Sequence, residues 1–548
     1  MADDGCSLLE ALRDRLGRRS AKDGCSPQGQ CGCCTVWVDG AARVACVTPA
    51  RRVAGRSVTT LDGLDPEVRD RWAGAFLDHG ASQCGFCTPG IIMRLAAQEA
   101  RHGGTMSEDQ AKSALVAHLC RCTGWQTIVE AATAGRGSEA TPARGAPPAR
   151  GATPATAAGR RPRDLEAAAQ RARLEGGVAQ VVGAEVALGR GGFADDTAPA
   201  DAVVAVPDAA GGWAVGETLS EARAAAAKVQ GRRTTLDLTW PIEVPDGDWA
   251  LRLATTWVEP GYLETDASWC VPGGEPVTPL ANGGAFGAKI DSPVGRAARA
   301  LADQHGRPVR VVFSREDAVR RGPKRAPLAA GVRPDGTGLV RVARTPGIVE
   351  AIASVAPGLV VEEVDIPGPP TSAAIRGAGW MEAAILLAAA GAASDQAGAG
   401  PGEVTAPAGG QVTVTAPAGG QAMVTAPAGG RAEATIAADG AISIRVACGD
   451  PLDEVVLRSY CIGAAHMALG WVRSEGLAVD AQGEIQDLTI RSFGILRAKD
   501  MPRVEVEIEA ATGPAVNGSD AVMAAVAAAA WLADGLPEHW PHKRGGQG

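Results

Sequence analysis

The chain has 548 residues, of which 46% are hydrophobic and 21% are charged. This balance is typical of globular proteins and excludes a disordered or membrane-embedded chain, and the length predicts three or four domains. A formal net charge of −9 argues against a general nucleic-acid binder.

The first residues lack the basic and apolar segments of a signal peptide. The longest purely apolar run, residues 521–533, is too short to span a bilayer. The chain has 13 cysteines, several of them closely spaced. Clustered cysteines without a signal peptide indicate a reducing compartment and metal binding more than disulfides. We therefore expect a cytoplasmic protein.

The first elements surround a group of cysteines. Leucines at helical spacing predict a short amphipathic helix over residues 7–17. Two strands, at residues 36–38 and 42–47, are predicted around a tight Asp39-Gly40 turn. The first thiol set is Cys25, Cys31, Cys34 and Cys46. Its spacing is close to the plant-ferredoxin pattern, with one extra residue in the first gap. Cys33 lies inside the set, but the spacing favours Cys34.

A second group of cysteines follows among predicted helices. Helices are expected over residues 65–79 and 91–102, and from an N-cap at Ser107 to Leu119. The second thiol set is Cys84, Cys87, Cys120 and Cys122. Four thiolates can hold a 2Fe–2S cluster. Two disulfides or a zinc knot are the alternatives, and the ferredoxin-like set upstream favours the cluster. The nearby histidines, His118 among them, are expected to lie on the surface or to pack.

The two thiol sets in tandem resemble the N-terminal half of the molybdenum hydroxylases, the xanthine dehydrogenase and aldehyde oxidase family. The likeness covers residues 7–133, and the stretches 32–40, 83–90 and 119–124 carry it. It implies a β-grasp, plant-type ferredoxin-like 2Fe–2S domain at residues 1–78 and a helical 2Fe–2S domain at residues 79–133. Each domain is expected to hold one cluster on its four cysteines, and Gln83 is expected to be a cofactor-binding residue.

Two segments of low complexity interrupt the rest of the chain. Residues 134–163 are rich in Ala, Pro, Gly, Thr and Arg without periodicity, which predicts a flexible linker. The six-residue motif at 405–410 recurs at 415–420 and 425–430. Three short copies are too few for a solenoid with its own core. We expect residues 399–432 to be a surface linker or a hairpin insertion without chemistry.

A glycine-rich stretch is the main candidate feature between these segments. Strands are predicted at residues 203–206 and 309–313, an extended segment at 257–267 and a helix at 293–304. The glycine loop, residues 282–289, precedes that helix and offers the candidate contacts Gly283, Gly284, Ala285, Phe286 and Gly287. Most such stretches are simply turns. The functional alternative is that their backbone N–H groups approach an anionic cofactor.

The order of loop, helix and strand resembles the large, molybdopterin-binding subunit of the same family over residues 190–548. The arginine loop, residues 376–380, is similar to a second cofactor loop and adds the candidate contacts Arg376, Gly377 and Gly379. The resemblance implies a shortened α+β domain at residues 164–260, followed by α/β molybdopterin-binding segments at 261–398 and 433–548. The family's large half is longer, and the repeats stand where its glutamine–glycine cofactor loop is expected.

One carboxylate is the candidate catalytic residue. The family's general base is a glutamate before an alanine-rich helix, and this chain has Asn517-Gly518-Ser519-Asp520 before residues 521–531. The resemblance therefore implies that Asp520 is the base. An equally weighted alternative makes Asp520 a helix N-cap, and both roles can hold together. The shorter side chain withdraws the carboxylate, and a misplacement of about 1 Å can lower a rate roughly 100-fold.

The resemblance implies an α+β multidomain, molybdenum-dependent hydroxylase that binds molybdopterin and two 2Fe–2S clusters. It would oxidise a small aldehyde or N-heterocycle with oxygen from water. No stretch resembles a flavin-binding domain, so FAD is expected on a partner flavoprotein subunit, unless another acceptor takes the electrons. A homodimer with a second copy of the chain is a further candidate assembly. Neither nucleic acid nor a membrane is expected as a partner. The alternative is a non-catalytic iron–sulfur electron-transfer or assembly subunit with a degenerate molybdopterin domain.

Overall fold

The computed structural model describes residues 5–134, 163–227, 237–396, 420–486, 488–509 and 511–543. The described chain is an α+β multidomain protein in which helices pack on four β-sheets. One continuous hydrophobic core extends from Leu8 to Trp540. The cysteine-rich N-terminal part therefore shares its core with the rest of the chain.

The amphipathic helix predicted near the N-terminus is present, but it changes from an α-helix to a π-helix along its length. An α-helical turn, Leu8–Glu10, continues as a π-helical segment, Ala11–Arg15. Ser7 caps the turn, because its side-chain oxygen accepts the N–H of Glu10 at 3.1 Å. The predicted apolar face is confirmed for Leu8, Leu9 and Leu12, which are buried, but not for Leu16, which follows the helical segments and is 60% exposed.

The first sheet holds the hairpin of the ferredoxin-like unit. Its three antiparallel strands lie in the order Ala41–Val44, Thr35–Val38 and Val58–Thr59. Asp39 and Gly40 form the predicted tight turn, with φ angles of 49° and 76°. The prediction that the second strand reaches residue 47 and includes Cys46 is wrong, because the strand ends at Val44. The chain turns there, and the N–H of Ala45 donates to the carbonyl of Cys34 at 3.1 Å.

Helices dominate the second unit. They are Pro66–Asp78, Thr88–Arg101, Glu108–Ala114 and Gln126–Thr133. Ser107 is confirmed as the N-cap of the third helix, where it forms a reciprocal capping box with Gln110. The prediction that this helix reaches Leu119 is wrong. The N–H of Leu119 instead donates to the carbonyl of Cys31 at 3.0 Å, which draws the chain toward the first thiol set.

A four-stranded sheet follows the first linker. Its strands lie in the order Trp213–Gly216, Val203–Pro207, Val309–Val312 and Ala267–Cys270, and the helices Leu219–Ala225 and Val294–His305 pack on it. Two of its strands precede residue 260 in the sequence and two follow it, although a domain boundary was expected at that residue. The extended segment predicted over residues 257–267 is wrong for most of its length, because the chain between Thr255 and Ala267 forms no strand.

Two further sheets complete the second half. One has the order Leu359–Val364, Gly338–Ala343, Leu328–Val332, Leu251–Thr255 and His539–Trp540, and the other has the order Gln421–Thr425, Arg431–Ile436, Ile442–Ala447 and Val504–Ile508. The third copy of the repeat forms a hairpin turn, in which the N–H of Ala426 donates to the carbonyl of Gly430 at 2.7 Å. The copy at 405–410, and 415–419 of the second, lie outside the described residues.

Three apolar helices form the centre of the second half: Trp380–Gln396, Glu454–Arg473 and Ser519–Ala533. The alanines of Ser519–Ala533 have small side chains, which lets the other two helices pack closely against it. By length and composition, Glu454–Arg473 alone among the described helices could cross a membrane. However, 89% of its apolar 18-residue stretch is buried inside the protein. Its apolar composition is therefore explained by its place in the core.

The remaining helices are short, apart from Leu165–Gly176, which packs on Glu454–Arg473. The short helices are Ala50–Val53, Leu61–Gly63, Ala184–Ala187, Ala194–Thr197, Arg315–Arg321 and Ile348–Ala353. Leu165–Gly176 begins at Asp164, whose carboxylate accepts the N–H groups of Glu166 and Ala167 at 3.0 Å each.

Candidate metal centres and cofactor loops

The structure brings the first thiol set together beside the N-terminal hairpin. All four thiols are free and buried, with residue exposures of 5% or less. Contact with Cys31 and Cys46 lowers the pKa of Cys25 well below its usual range. Backbone N–H groups point at two of the sulfurs: Gln30 donates to Cys25 and Cys46 donates to Cys34, each at 3.4 Å. Such donors stabilise thiolates that hold an iron–sulfur cluster.

Cys33 is a fifth thiol in the same place. It is completely buried, and its sulfur lies 3.9 Å from the carbonyl oxygen of Cys31. Cys33 contacts the thiol of Cys31, and Cys34 contacts that of Cys46 across the hairpin. The preference for Cys34 as the ligand stays a prediction.

The second thiol set forms two pairs. The sulfurs of Cys84 and Cys122 are 3.6 Å apart, and Cys87 contacts Cys120. Each pair thus joins one cysteine of the Cys-x-x-Cys motif to one of the Cys-x-Cys motif. Among the described residues, no three Cys, His, Asp or Glu side chains are grouped to hold a single metal ion. Paired thiols suit a two-iron cluster, which takes two thiolates at each iron, better than a tetrahedral zinc site.

Gln83 and Arg121 attach the second thiol set to the second half. The side-chain nitrogen of Gln83 donates to the carbonyl of Cys122 at 3.1 Å and to the hydroxyl of Ser459 at 3.0 Å. The guanidinium of Arg121 donates to both carboxylate oxygens of Glu475. Gln83 supports the backbone of a cysteine, and its expected role in cofactor binding stays a prediction.

His118 lies between the two thiol sets. It is 3% exposed, and its ring nitrogen Nε2 lies 3.2 Å from the hydroxyl of Thr35. Burial lowers the pKa of His118 to about 3, so the ring is neutral. A side chain at Gly32 would clash with this ring. His118 therefore packs, as expected, but it does so where the loops of both sets meet, which the sequence did not reveal.

The glycine loop lies against the second thiol set. The φ angles of Gly283 and Gly284 are both +81°, a conformation that favours glycine. A Cβ atom on Gly284 would lie 3.2 Å from the sulfur of Cys84 and 3.4 Å from that of Cys122. The pocket that these residues line has a volume of about 10 Å³. Such a space holds at most about one water molecule.

The arginine loop contacts the glycine loop. The N–H of Arg376 donates to the carbonyl of Phe286 at 3.0 Å, and a Cβ atom on Gly287 would clash with the carbonyl of Ala374. Gly379 donates its N–H to the carboxylate of Glu382 at 2.9 Å. The residues predicted to hold molybdopterin thus converge, but the space between the glycine loop and the second thiol set is too small for a pterin. The group does not fit between them as they stand.

Asp520 pairs with Arg376. Nε of Arg376 donates to the carboxylate of Asp520 at 2.6 Å, and another guanidinium nitrogen donates to the hydroxyl of Ser519. The alternative role of Asp520 as the N-cap is wrong, because the helix Ser519–Ala533 begins before it. The side chain of Asn517 accepts the N–H of Asp520, and Glu175 accepts the N–H groups of the two preceding residues. The role of Asp520 as a base stays a prediction.

Comparison with known proteins places the N-terminal part among iron–sulfur subunits. Residues 60–133 match the model of the [2Fe-2S] binding domain family. The chain is 40% identical over 127 residues to the xanthine dehydrogenase iron-sulfur-binding subunit of Escherichia coli O157:H7, covering 23% of this chain and 79% of that protein. It is 40% identical over 125 residues to the nicotine 6-hydroxylase small subunit of Paenarthrobacter nicotinovorans, covering 23% and 74%.

A longer protein shares the same region and the overall fold. The aldehyde oxidoreductase of Megalodesulfovibrio gigas is 40% identical over 128 residues, which are 23% of this chain but 14% of that protein. The solved structure of the aldehyde oxidoreductase from Desulfovibrio gigas aligns over 96% of this chain and 95% of that chain, with a TM-score of 0.65 and 14% identity. At this identity the likeness shows the fold alone. The family-model match thus covers the second thiol set, and the fold match extends over 96% of the chain.

Proposed function

The chain belongs to the molybdenum hydroxylase family of xanthine dehydrogenases and aldehyde oxidoreductases, and we propose that it passes electrons through two 2Fe–2S clusters. The observation that carries this proposal is the pair of four-thiol sets, with seven of their eight thiols buried, that meet at His118. The first set would hold one cluster on Cys25, Cys31, Cys34 and Cys46, and the second would hold the other on Cys84, Cys87, Cys120 and Cys122. Iron–sulfur clusters carry single electrons, so clusters in these two neighbouring sets would form a path.

As an oxidoreductase of this family, the chain would take its electrons from the oxidation of a small aldehyde or N-heterocycle. The oxygen would come from water, and the electrons would leave to FAD on a partner flavoprotein or to another acceptor. The meeting of both predicted cofactor loops with the candidate base supports this finer proposal, since Arg376 contacts both Phe286 and Asp520. The reaction requires a molybdopterin, which the space between the glycine loop and the second thiol set does not hold.

A second candidate confines the chain to electron transfer or assembly. Two observations favour it. The space between the glycine loop and the second thiol set is about 10 Å³, and the carboxylate of Asp520 forms an ion pair with the guanidinium of Arg376. A chain of this kind would carry the two clusters and use its second half as a docking scaffold for a catalytic partner.

Metal analysis of the purified full-length chain tests both candidates. Two clusters require about four irons per chain and give two distinct electron paramagnetic resonance signals on reduction. Molybdenum near one atom per chain supports the hydroxylase, and iron without molybdenum supports the electron-transfer subunit. A preparation that contains only zinc, and that iron and sulfide cannot reconstitute, would refute the proposal of two clusters.

A further inference from the structure

The turn at residues 282–284, within the glycine loop, covers one thiol pair of the second set. A Cβ atom on Gly284 would lie 3.2 Å from the sulfur of Cys84 and 3.4 Å from that of Cys122. Cys84 is the one member of both thiol sets that is not fully buried. The turn therefore lies over the pair at the point where solvent comes nearest to it.

Asn282 fastens this turn to the backbone of the second thiol set. Its side-chain nitrogen donates to the carbonyls of Gln83 and Cys84, at 3.3 Å each. Its side-chain oxygen accepts the N–H of Val181 at 2.7 Å. Asn282 itself is 2% exposed. These hydrogen bonds hold the turn at a fixed distance from Cys84 without using the backbone of the turn.

The second half supports the turn from its other side. A Cβ atom on Gly283 would lie 2.6 Å from the side-chain nitrogen of Gln180, and the hydroxyl of Tyr460 donates to Gln180 at 2.6 Å. Tyr460 belongs to the long core helix Glu454–Arg473 and is 5% exposed. The space left beneath the turn has a volume of about 10 Å³, so water is nearly excluded from the thiol pair.

We propose that the turn at residues 282–284 is a cover that positions and shields the second cluster, with Asn282 and Gly284 as its positioning residues. This assigns to the turn a role other than contact with a pterin. The inference rests on the proposed function, because it requires that the second thiol set hold a cluster. Gly284 is needed twice over: its φ is one that side chains rarely adopt, and a methyl group would press on two ligand sulfurs.

The test is Gly284→Ala in the full-length chain, with Gly273→Ala as the matched control. Gly273 has a φ of +70° but nothing within 4 Å of its Cβ position, so the control carries the backbone strain without the sulfur contact. We expect Gly284→Ala to change the resonance signal of the second cluster and to speed its loss in air at least about tenfold, the lower range for residues that support metal ligands. The first cluster and the control should be unaffected.

Asn282→Ala provides a second variant, since it keeps the glycines and removes the side-chain hydrogen bonds to the second thiol set and to Val181. It should also speed the loss of the second cluster. This variant tests the inference if Gly284→Ala does not fold. A normal second signal and normal lifetime in either folded variant would overturn the inference, as would a loss of molybdenum alone. Absence of a second signal from the wild-type chain would instead overturn the proposed function.

Discussion

Arg121 and Glu475, which are 354 positions apart, form a buried ion pair beside the second thiol set. Their side chains are 3% and 0% exposed. The guanidinium of Arg121 also donates to the carbonyl of Pro260 at 2.8 Å. Because Arg121 stands between Cys120 and Cys122, the pair fixes the Cys-x-Cys segment to the second half. The position of the second thiol set thus depends on residues far away in the chain.

Breaking this pair should destabilise the protein. Glu475→Gln leaves the charge of Arg121 buried without a partner, which costs about 3–5 kcal/mol of unfolding free energy. Urea unfolding followed by tryptophan fluorescence measures the loss. The matched control is Arg252→Ala, whose ion pair with Glu538 is 44% and 37% exposed and should contribute at most about 1 kcal/mol. Equal midpoints for the two variants would contradict the prediction.

The two thiol sets should respond independently to substitution. Cys120→Ser should remove the resonance signal of the second cluster and leave the first, because each set supplies its own ligands. The matched control is Cys33→Ser, since Cys33 is as buried as the ligands but stands outside the predicted first set. Both signals should survive that change. Loss of the first signal in Cys33→Ser would show that Cys33, and not Cys34, is the ligand.

Features set by neighbouring residues were predictable from the sequence. The capping box of Ser107 and Gln110 and the turn at Asp39 and Gly40 each depend on a few consecutive residues. The grouping of each thiol set follows from short spacings in the same way. The long helix Glu454–Arg473 was not predicted, because residues that are apolar all round show no helical periodicity.

Features set by distant residues were not predictable. The third helix of the second unit stops at Ala114 because Leu119 bonds to Cys31, across the fold. The contact of Gly284 with two cysteine sulfurs and the pairing of Arg376 with Asp520 join segments more than a hundred residues apart. Spacing within one segment carries no information about such partners. The sequence therefore indicated which residues belong to the candidate site but not what they contact.

A buried lysine should make stability depend on pH. Lys324 is completely buried, and this burial, with the nearby charge of Arg315, lowers its pKa from 10.5 to about 7. Above pH 7 the unfolded chain binds a proton at this residue that the folded chain does not. Stability should therefore rise between about pH 7 and 10, by up to about 1.4 kcal/mol per pH unit, and fall as the pH is lowered through that range.

Lys324→Met should remove this slope and raise the stability at pH 7, because the methionine side chain can be buried without a charge. Urea midpoints of both proteins at pH 7, 8 and 9 provide the measurement. Parallel pH profiles for Lys324→Met and the wild type would show that the amine keeps its proton in the folded protein.

Asp520 forms an ion pair with Arg376, and a substitution that tests its role as a base has to keep a hydrogen bond to that arginine. The carboxylate lies 2.6 Å from Nε of Arg376, and its side chain is 26% exposed. An aspartate in this position can anchor the arginine loop to the helix Ser519–Ala533, and it can also accept a proton from substrate. Asp520→Asn keeps the size of the side chain and an oxygen that accepts from Arg376, but it removes the charge and the basicity.

We predict that Asp520→Asn lowers turnover at least about 100-fold on any substrate that the wild-type chain oxidises, the lower end of general-base contributions. Metal content and both resonance signals should stay unchanged, because the thiol sets do not contact this residue. Asp534→Asn is the matched control: Asp534 follows the same helix and pairs with Arg473 at 2.7 Å, without a predicted catalytic role. Asp520→Glu, which restores the longer reach of the family's glutamate, should keep or raise the activity. Wild-type turnover in Asp520→Asn would leave Asp520 only its ion pair with Arg376, and the base would then have to be another residue.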